Sequence, residues 1–461
     1  MTVSNITKIR KRKGLKAYTH REYEALLSIL KYRCLSEDQI FRLHYDKKQG
    51  SEPFGYDYFI KKFRYFRQDK VVELVYQQND IVPDLYGLTG FGLRLVKKYF
   101  PDLFEQPKLA NNLFNWDIDT RRLTINPTFI PHQYYLNCFA IEFLDLFADV
   151  PNIQYIDERH MAISQSIRPD GLCIIPKRTV QIGNVKKEIP ETHLFFECDM
   201  GTEPPNVITK KFTAYRRFLS STDLDPNARR IILFICRDPL LPFANGLPEN
   251  PGAESKSARK RIVRIKKSIS DSVLDLVNDD LEILVATHFK LLSTLKLLYL
   301  PEYLGVDKKD LLPDVENILH TYHPSLEIKD LDKLSRKYLN GLHYTCYAKE
   351  PKSQRLLLFL ESFGDPMSAM HKIQWHQRIS SLFLQATGRQ MDLVIVANKE
   401  ESISDMDEVC GFSTALYDNV YCTTVSRLQS LPLNEAIYKI THYGTAHFDS
   451  NMRNLIPNPQ P

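Results

Sequence analysis

Residues 194–203 read Leu-Phe-Phe-Glu-Cys-Asp-Met-Gly-Thr-Glu, an apolar run that ends among acidic residues and a glycine. A short apolar run bounded by a turn signal predicts a buried β-strand. An amphipathic stretch at 207–219 predicts a helix after it, and the very apolar run at 231–236 predicts a second buried strand. Strand, helix and strand in this order are typical of an α/β core with a buried central strand.

The chain before this core continues the same pattern. A strongly apolar stretch at 132–147 predicts a helix, and segments 152–156 and 171–175 predict two more strands. Residues 101–130 contain several prolines and asparagines and show little periodicity, which predicts a linker. The sequence therefore predicts an α/β domain over residues 131–300.

Three carboxylates fall at the ends of these strands. Asp170 precedes one strand, and Glu197 and Asp199 lie two residues apart in the next, which places both on the same side of the sheet. Convergent carboxylates suit Mg²⁺ or Mn²⁺, which can hold a phosphodiester and a hydrolytic water. We therefore take Asp170, Glu197 and Asp199 as candidate metal ligands and catalytic residues. In the alternative interpretation Asp170 caps a strand and Asp199 belongs to a turn, with no metal.

The first hundred residues predict a helical unit. Apolar residues recur at helical spacing over 23–30, and 36–39 match a capping box before a second apolar stretch. A third stretch, 56–68, places three phenylalanines on one side and lysines and arginines around the rest. Two strand-like pieces, 71–75 and 85–88, follow it. Helix, helix, basic helix and hairpin is the winged-helix order, in which the third helix enters the major groove of DNA.

Positive charge is concentrated at this end of the chain. The whole chain has 61 Lys and Arg against 56 Asp and Glu, whereas residues 1–70 hold 17 against 8, so the remainder is slightly acidic. A segregated basic segment indicates a polyanion such as nucleic acid, although a solubilising tail gives the same count. The candidate DNA-binding residues are Lys11, Arg12, Lys13, Lys61, Lys62, Arg64 and Arg67.

The C-terminal third predicts a degenerate second copy of the α/β core. Two apolar runs of the core recur at similar offsets of 164 and 162 residues, which indicates an internal repeat. Ser362 and Phe363 stand in place of Cys198 and Asp199, so the second copy is predicted to be a noncatalytic partner. The matching segments are 358–361 with 194–197, 393–396 with 231–235, and 420–424 with 282–287.

A basic stripe is predicted on a helix between 253 and 277. Its residues are spaced by four, four and three positions, so they lie on one side of the helix. Such a stripe either follows a phosphate backbone or forms a solvated face. The residues are Lys256, Lys260, Arg264 and Lys267.

Histidines and cysteines show no spacing typical of a metal site. His371 and His376 do not share a helix face well, so we expect ordinary surface or capping roles for them rather than a cluster with Glu361. The eight cysteines are scattered and form no CxxC pair. They are predicted to be reduced thiols within the core.

The acidic pattern resembles the PD-(D/E)xK nuclease superfamily, whose motif is matched by Pro-Asp at 169–170 followed by Glu197. Asp199 occupies the place of the superfamily's usual lysine, two residues after the second acidic residue. Some members carry this lysine on the following helix, where this chain has Lys210 and Lys211. The resemblance therefore implies a Mg²⁺-dependent nuclease in which one of these lysines stabilises the reacting phosphate.

A broader resemblance covers residues 20–240. The elements Ile-Arg-Pro-Asp-Gly at 167–171 and Phe-Phe-Glu-Cys-Asp-Met-Gly-Thr-Glu at 195–203, with Lys211 and Tyr215 on the next helix, are similar to the replication-relaxation family of plasmids and integrative elements. The resemblance implies a DNA-binding accessory in replication or conjugative mobilisation. The residues after 240 lie outside it.

Together these patterns predict an α/β protein with three domains, joined by a linker and a helical connector. A winged helix with a basic arm (1–100) and a linker (101–130) precede two tandem restriction-endonuclease-like α/β domains. The first spans 131–300, and the second, degenerate domain spans 341–461 after a helical connector at 301–340.

The expected function is DNA binding in the replication, mobilisation or transfer of a mobile element. Double-stranded DNA and relaxosome, replication or transfer proteins are the expected partners, and a homo-oligomer is compatible with the sequence. The chain shows neither a secretion signal nor a long apolar run, so we expect a cytoplasmic protein without a membrane partner. The alternatives are a Mg²⁺- or Mn²⁺-dependent endonuclease in element transfer or phage defence, and a noncatalytic transcriptional regulator or assembly platform. Asp199 at the lysine position favours the noncatalytic side.

Overall fold

The chain divides into two compact units in the computed structural model. The first unit comprises Met1–Ala148, Ile153–Cys173 and Leu241–Gly246, and the second comprises Asp149–Asn152, Ile174–Leu240 and Leu247–Pro461. The residues that the structure describes are 18–46, 55–79, 82–105, 118–160, 167–219, 227–238, 254–277, 281–307, 312–329, 346–349, 356–362, 367–400, 402–404, 406 and 419–439.

The first unit begins with three helices and a two-stranded antiparallel sheet, followed by two more helices. The elements are α1 (His20–Lys31), α2 (Glu37–His44), α3 (Tyr56–Gln68), β1 (Val72–Tyr76), β2 (Leu85–Leu88), α4 (Gly90–Tyr99) and α5 (Pro101–Glu105). The order of the first five elements agrees with the three helices and the hairpin that the sequence predicts.

Capping boxes begin the first two helices. Thr19 Oγ1 accepts the N–H of Glu22 at 3.3 Å, and the Glu22 carboxylate accepts the N–H of Thr19 at 2.6 Å. Ser36 and Gln39 form the equivalent pair, with distances of 3.1 and 3.0 Å. Each pair satisfies two amide groups that a helix leaves unpaired at its start. The capping box predicted at 36–39 is therefore confirmed.

Helix α3 packs through a row of phenylalanines. Phe59, Phe63 and Phe66 are at most 1% exposed, and successive ring centroids lie 5.6 and 5.9 Å apart. Their spacing of four and three residues places them on one face of the helix. Burying each such side chain contributes about 1.5–3 kcal/mol. This face anchors α3 in the core of the first unit and leaves Lys61, Arg64 and Arg67 exposed on the rest of the helix.

Helix α6 (Ile130–Leu146) is tied to the loop after α1 by a buried asparagine. Asn137 donates to the main-chain oxygens of Tyr32, at 3.1 Å, and Cys34, at 2.6 Å. Its own side-chain oxygen accepts from Gln133 at 2.9 Å. An unsatisfied buried polar group costs about 1–3 kcal/mol, so these bonds specify the position of α6 within the first unit.

Four strands precede the core of the second unit. Strands β3 (Gln154–Asp157) and β4 (Gly171–Ile175) are neighbours in their sheet. Strands β5 (Arg178–Ile182) and β6 (Val185–Ile189) form an antiparallel hairpin. The sequence predicts β3 and β4 but not this hairpin, in which β6 is exposed except for Ile189.

Three parallel strands form the core of the second unit. The elements are β7 (Thr192–Asp199), α7 (Pro205–Leu219), β8 (Arg229–Cys236), α8 (Lys256–Ser272), β9 (Leu281–Thr287), α9 (His288–Leu298) and α10 (Leu300–Tyr303). Strands β7, β8 and β9 lie side by side in chain order, with α7 and α8 as their connections. Strand β7 is buried along its whole length, as expected for a parallel strand covered on both faces. The strands predicted at 194–197 and 231–236 and the helix at 207–219 are confirmed.

A second sheet follows in the same unit. The elements are α11 (Val315–Tyr322), β10 (Glu327–Lys329), β11 (Cys346–Lys349), β12 (Leu356–Ser362), α12 (Met367–Thr387), β13 (Met391–Ala397), β14 (Val420–Thr424), α13 (Val425–Ser430) and α14 (Leu433–Ala436). The strands lie in chain order, and β12, β13 and β14 are parallel, whereas β10 and β11 pair antiparallel.

The two parallel cores match in register. Leu194 of β7 lies opposite Ile231 of β8. Leu358 of β12 lies opposite Leu393 of β13. These are the residues that the sequence repeat aligns, so its segments occupy equivalent positions in the two sheets. The third strand of each core continues the match. Glu282 of β9 lies opposite Ile231, and Val420 of β14 lies opposite Leu393.

Two domain boundaries differ from those predicted. The sequence predicts a helical connector at 301–340, but residues 327–329 of that segment form strand β10, paired with β11. Three residues are too few for strand periodicity to show in a sequence. Helix α6, which the sequence assigns to the second domain, belongs to the first unit. The hydrogen bonds of Asn137 account for this difference, because they link α6 to main-chain groups at 32 and 34.

Among the described residues, no helix combines the length and hydrophobicity that a membrane span requires. The six cysteines whose side chains are described have free thiols, and five of these are buried.

His376 of α12 lies in the core rather than on the surface. It is completely buried, and its Nε2 donates to the main-chain oxygen of Met391 at 3.1 Å. Burial penalises the charged imidazolium and lowers the pKa of His376 from 6.5 to about 4. The expected surface or capping role is therefore wrong for this histidine, because α12 is buried on the side that faces β13.

Acidification is expected to destabilise the protein through His376. The unfolded chain takes up this proton below pH 6.5 and the folded chain only near pH 4. Folded-state stability is therefore lost as the pH falls through this window, by about 2 kcal/mol between pH 7 and pH 4.5. In urea unfolding, the free energy of unfolding of His376→Gln should rise relative to that of the wild type by about 2 kcal/mol as the pH falls from 7 to 4.5. The exposed His320 supplies the control, since His320→Gln should follow the wild-type pH profile. A pH-independent effect of His376→Gln would contradict the prediction.

Candidate functional site

The exposed side of α3 carries basic side chains. Lys61, Arg64 and Arg67 are exposed and lie at three-residue spacing, so they are neighbours on the helix surface. The guanidinium of Arg67 lies 5.4 Å from the centroid of the Tyr86 ring, in a cation–π contact. Helix α3 thus presents positive charge away from its buried phenylalanines. Lys11, Arg12 and Lys13 lie outside the described residues.

Lys62 is engaged within the first unit. Its Nζ lies 3.2 Å from Glu22 Oε1 and 5.5 Å from the centroid of the Tyr58 ring. Partial burial lowers the pKa of Lys62, but the hydrogen bond and negative charge of Glu22 outweigh this effect and raise it. Lys62 is thus paired with α1, whereas Lys61 and Arg64 project from α3 to solvent.

A second candidate site lies at the carboxyl end of β7. Glu197 is completely buried, and its Oε2 lies 2.6 Å from Lys211 Nζ of α7. Tyr215, one turn further along α7, donates its hydroxyl to Glu197 Oε1 at 2.5 Å. Lys211 and Tyr215 are four residues apart and therefore share the face of α7 that covers β7. A buried carboxylate needs such partners, because burying an unpaired charge is strongly unfavourable.

Asp199 is held from α8. The guanidinium of Arg261 donates to both carboxylate oxygens of Asp199, from Nε and Nη2, at 2.6 Å each. The N–H of Gly201 donates to the same carboxylate at 3.2 Å. Gly201 has a φ of +82°, a left-handed conformation that favours glycine. Asp199 thus forms the ion pair with Arg261 and also accepts a hydrogen bond within the turn that follows β7.

Glu203 connects the two ion pairs. Its main-chain oxygen accepts from Arg261 at 2.7 Å, and its carboxylate lies 3.7 Å from Lys211 Nζ. The hydrogen bond that Arg261 donates to Asp199 raises the pKa of Arg261, so this guanidinium stays charged. As the two-residue spacing predicts, Glu197 and Asp199 project to one side of the sheet, where α7 and α8 supply one cation to each.

The remaining predicted site residues have other surroundings. Lys210 is exposed, so of the two candidate lysines it is Lys211 that reaches Glu197. Asp170 belongs to the first unit, where its Oδ2 lies 3.3 Å from His132 Nε2 of α6.

The carboxylates of β7 do not fit a divalent metal as they are arranged. Glu197 and Asp199 are each opposed by a cation, and a Mg²⁺ ion would have to displace Lys211 or Arg261 to gain the carboxylate oxygens it prefers. Over the described part of the chain, no three His, Cys, Asp or Glu side chains are placed to hold one ion.

Sequence reasoning did not find Arg261, which lies 62 positions from Asp199. Its pairing arises from the packing of α8 against the sheet, which periodicity does not reveal. The sequence does place Arg261 between the basic stripe and the apolar side of α8 on a helical wheel, which is a position from which a side chain can reach the sheet.

The fold and site define a mixed α/β protein, with a helical first unit that carries a two-stranded sheet and a second unit with two parallel cores. Residues 26–232 match the model of the replication-relaxation family. The match associates this part of the chain with replication or mobile-element function. The match includes Glu197, Lys211 and Tyr215, whereas Arg261 and the second sheet lie beyond it. No curated protein and no solved structure matched the chain.

Proposed function

We propose that this protein binds duplex DNA of a mobile genetic element and acts in its replication, mobilisation or transfer, with relaxosome, replication or transfer proteins as partners. The exposed basic side of α3, with Lys61 and Arg64, carries the proposal. In a winged helix the third helix enters the major groove and the hairpin touches the backbone. Arg and Lys side chains there contact phosphates or base edges. The match of residues 26–232 to the replication-relaxation family supports this role.

The same proposal includes the architecture predicted from the sequence. The first unit would be a winged helix, and the two parallel cores would be tandem restriction-endonuclease-like domains. The strand, helix and strand order with carboxylates at the end of β7 supports the first nuclease-like core. The matched registers of β7 with β8 and β12 with β13 support the second.

In this proposal the α/β cores bind DNA or protein without cleaving DNA, as a regulator or assembly platform does. Asp199 occupies the lysine position, and the ion pairs of Glu197 and Asp199 oppose metal binding. The alternative is a Mg²⁺- or Mn²⁺-dependent endonuclease in element transfer or phage defence. One observation favours it, since Lys211 brings a positive charge to Glu197 from the following helix.

A plasmid gel assay tests both functions. Supercoiled plasmid incubated with the full chain and Mg²⁺ or Mn²⁺ is expected to be retarded in the gel and to remain supercoiled. Nicking by the wild type that disappears in Glu197→Gln would support the endonuclease instead. Absence of retardation at low salt, where phosphate contacts are strongest, would contradict DNA binding.

A further inference from the structure

Helix α8 carries an unusual concentration of positive charge. Its 17 residues, Lys-Ser-Ala-Arg-Lys-Arg-Ile-Val-Arg-Ile-Lys-Lys-Ser-Ile-Ser-Asp-Ser, include seven Lys or Arg and one acidic residue, Asp271. Arg261 is used internally by Asp199, and Lys266 is buried. Lys256, Lys260, Arg264 and Lys267 are exposed. They form the basic stripe of α8.

The basic stripe is a narrow band along the helix. At about 100° per residue, its four positions fall within an arc of about 80°, and at 1.5 Å per residue they extend over about 16 Å. The opposite side of α8 is buried through Ala258, Ile262, Ile265 and Ile269. The bidentate ion pair of Arg261 with Asp199 also fixes the helix on its sheet. The basic stripe is therefore held in place on a rigid element rather than on a loop.

The basic stripe is unfavourable for folding. Among the described residues none of its four members forms an ion pair, and like charges at helical spacing destabilise a helix by about 0.2–0.5 kcal/mol per pair. Lys256 at the helix start also opposes the helix dipole. The basic stripe therefore lowers the stability of the protein and neutralises no acidic side chain. Both properties are expected of a surface that binds an external polyanion.

We propose that the basic stripe of α8 is a second contact surface for the phosphate backbone of duplex DNA. A band of about 16 Å spans about five base steps of 3.4 Å along one strand, so each of its four cations can contact a different phosphate of that strand. The choice of duplex DNA as the polyanion rests on the proposed function, whereas the surface itself belongs to the second unit and is independent of α3.

The test removes the four charges together in the full chain. Binding of a short duplex by Lys256→Ala/Lys260→Ala/Arg264→Ala/Lys267→Ala is measured by fluorescence anisotropy between 50 and 200 mM salt. With about 0.9 per phosphate, the slope of log affinity against log salt should become shallower by about 3.6, and affinity should fall at least about 100-fold at the lower salt. The melting temperature should be unchanged or higher, because alanine favours the helix and the repulsion is gone.

Matched controls separate this surface from net charge and from α3. Lys177→Ala/Lys186→Ala/Lys296→Ala/Lys399→Ala removes the same charge from exposed positions of the second unit and should keep most of the wild-type slope. An α8 variant with the wild-type slope overturns the proposal while leaving DNA binding by α3 intact. Loss of binding to duplex RNA or an acidic protein, with duplex DNA binding unchanged, overturns it as well. A wild type that binds no duplex contradicts both this proposal and the proposed function.

Discussion

Lys211→Ala is expected to lower the free energy of unfolding by about 3 kcal/mol, because removing one partner of a buried ion pair costs about 3–5 kcal/mol. The substitution leaves the carboxylate of Glu197 completely buried with the Tyr215 hydroxyl as its remaining donor from α7. The lower end of the range applies because Lys211 is itself 21% exposed and Tyr215 still donates. Urea unfolding of the full chain measures the change.

The neighbouring lysine supplies the control for this prediction. Lys210 is exposed, so Lys210→Ala should change stability by no more than about 0.5 kcal/mol. The double variant Lys211→Ala/Glu197→Gln should recover part of the loss, since a neutral amide needs no buried counter-charge. If Lys211→Ala were as mild as Lys210→Ala, the ion pair would not stabilise the contact of α7 with β7.

Lys61→Ala/Arg64→Ala is expected to weaken duplex binding about 10- to 100-fold near 0.1 M salt, because each phosphate contact adds about 0.9 to the salt slope and two contacts are removed. The slope should become shallower by about 1.8. Anisotropy measurements with a short duplex give both quantities.

Two further variants sharpen this prediction. Lys186→Ala/Lys296→Ala removes the same charge from exposed positions elsewhere and should bind duplex nearly as the wild type does. Lys62→Ala should mainly reduce stability, since Lys62 is paired with Glu22. Equal slopes for wild type and Lys61→Ala/Arg64→Ala would show that α3 makes no phosphate contact.

The elements that sequence predicts well are those whose burial leaves a simple pattern. Strand β7 is buried at every position and reads as an apolar run. Helix α3 shows its phenylalanine face at three- and four-residue spacing. Strand β6, in contrast, exposes four of its five residues, and β10 has three residues, so neither leaves a pattern that distinguishes strand from loop.

The candidate site was predictable where it depends on local spacing. Glu197 and Asp199 share a strand, and Lys211 lies on the next helix, so their proximity follows from the order of the elements. The bidentate ion pair of Arg261 and the burial of His376 depend on how α8 and α12 pack. This packing leaves no pattern in any short segment of a single sequence. Lys62 shows the same limit, because its partner Glu22 lies on another helix.

Photocrosslinking most directly tests whether α3 is the DNA-binding element. A duplex that carries 5-bromodeoxyuridine is irradiated with the full chain, and the attached peptides are identified by mass spectrometry. The account predicts crosslinks within Tyr56–Gln68, where Tyr56 and Tyr58 are 44% and 42% exposed beside the basic side chains. Their yield should fall in Lys61→Ala/Arg64→Ala. Efficient crosslinks confined to peptides outside α3 would contradict the account.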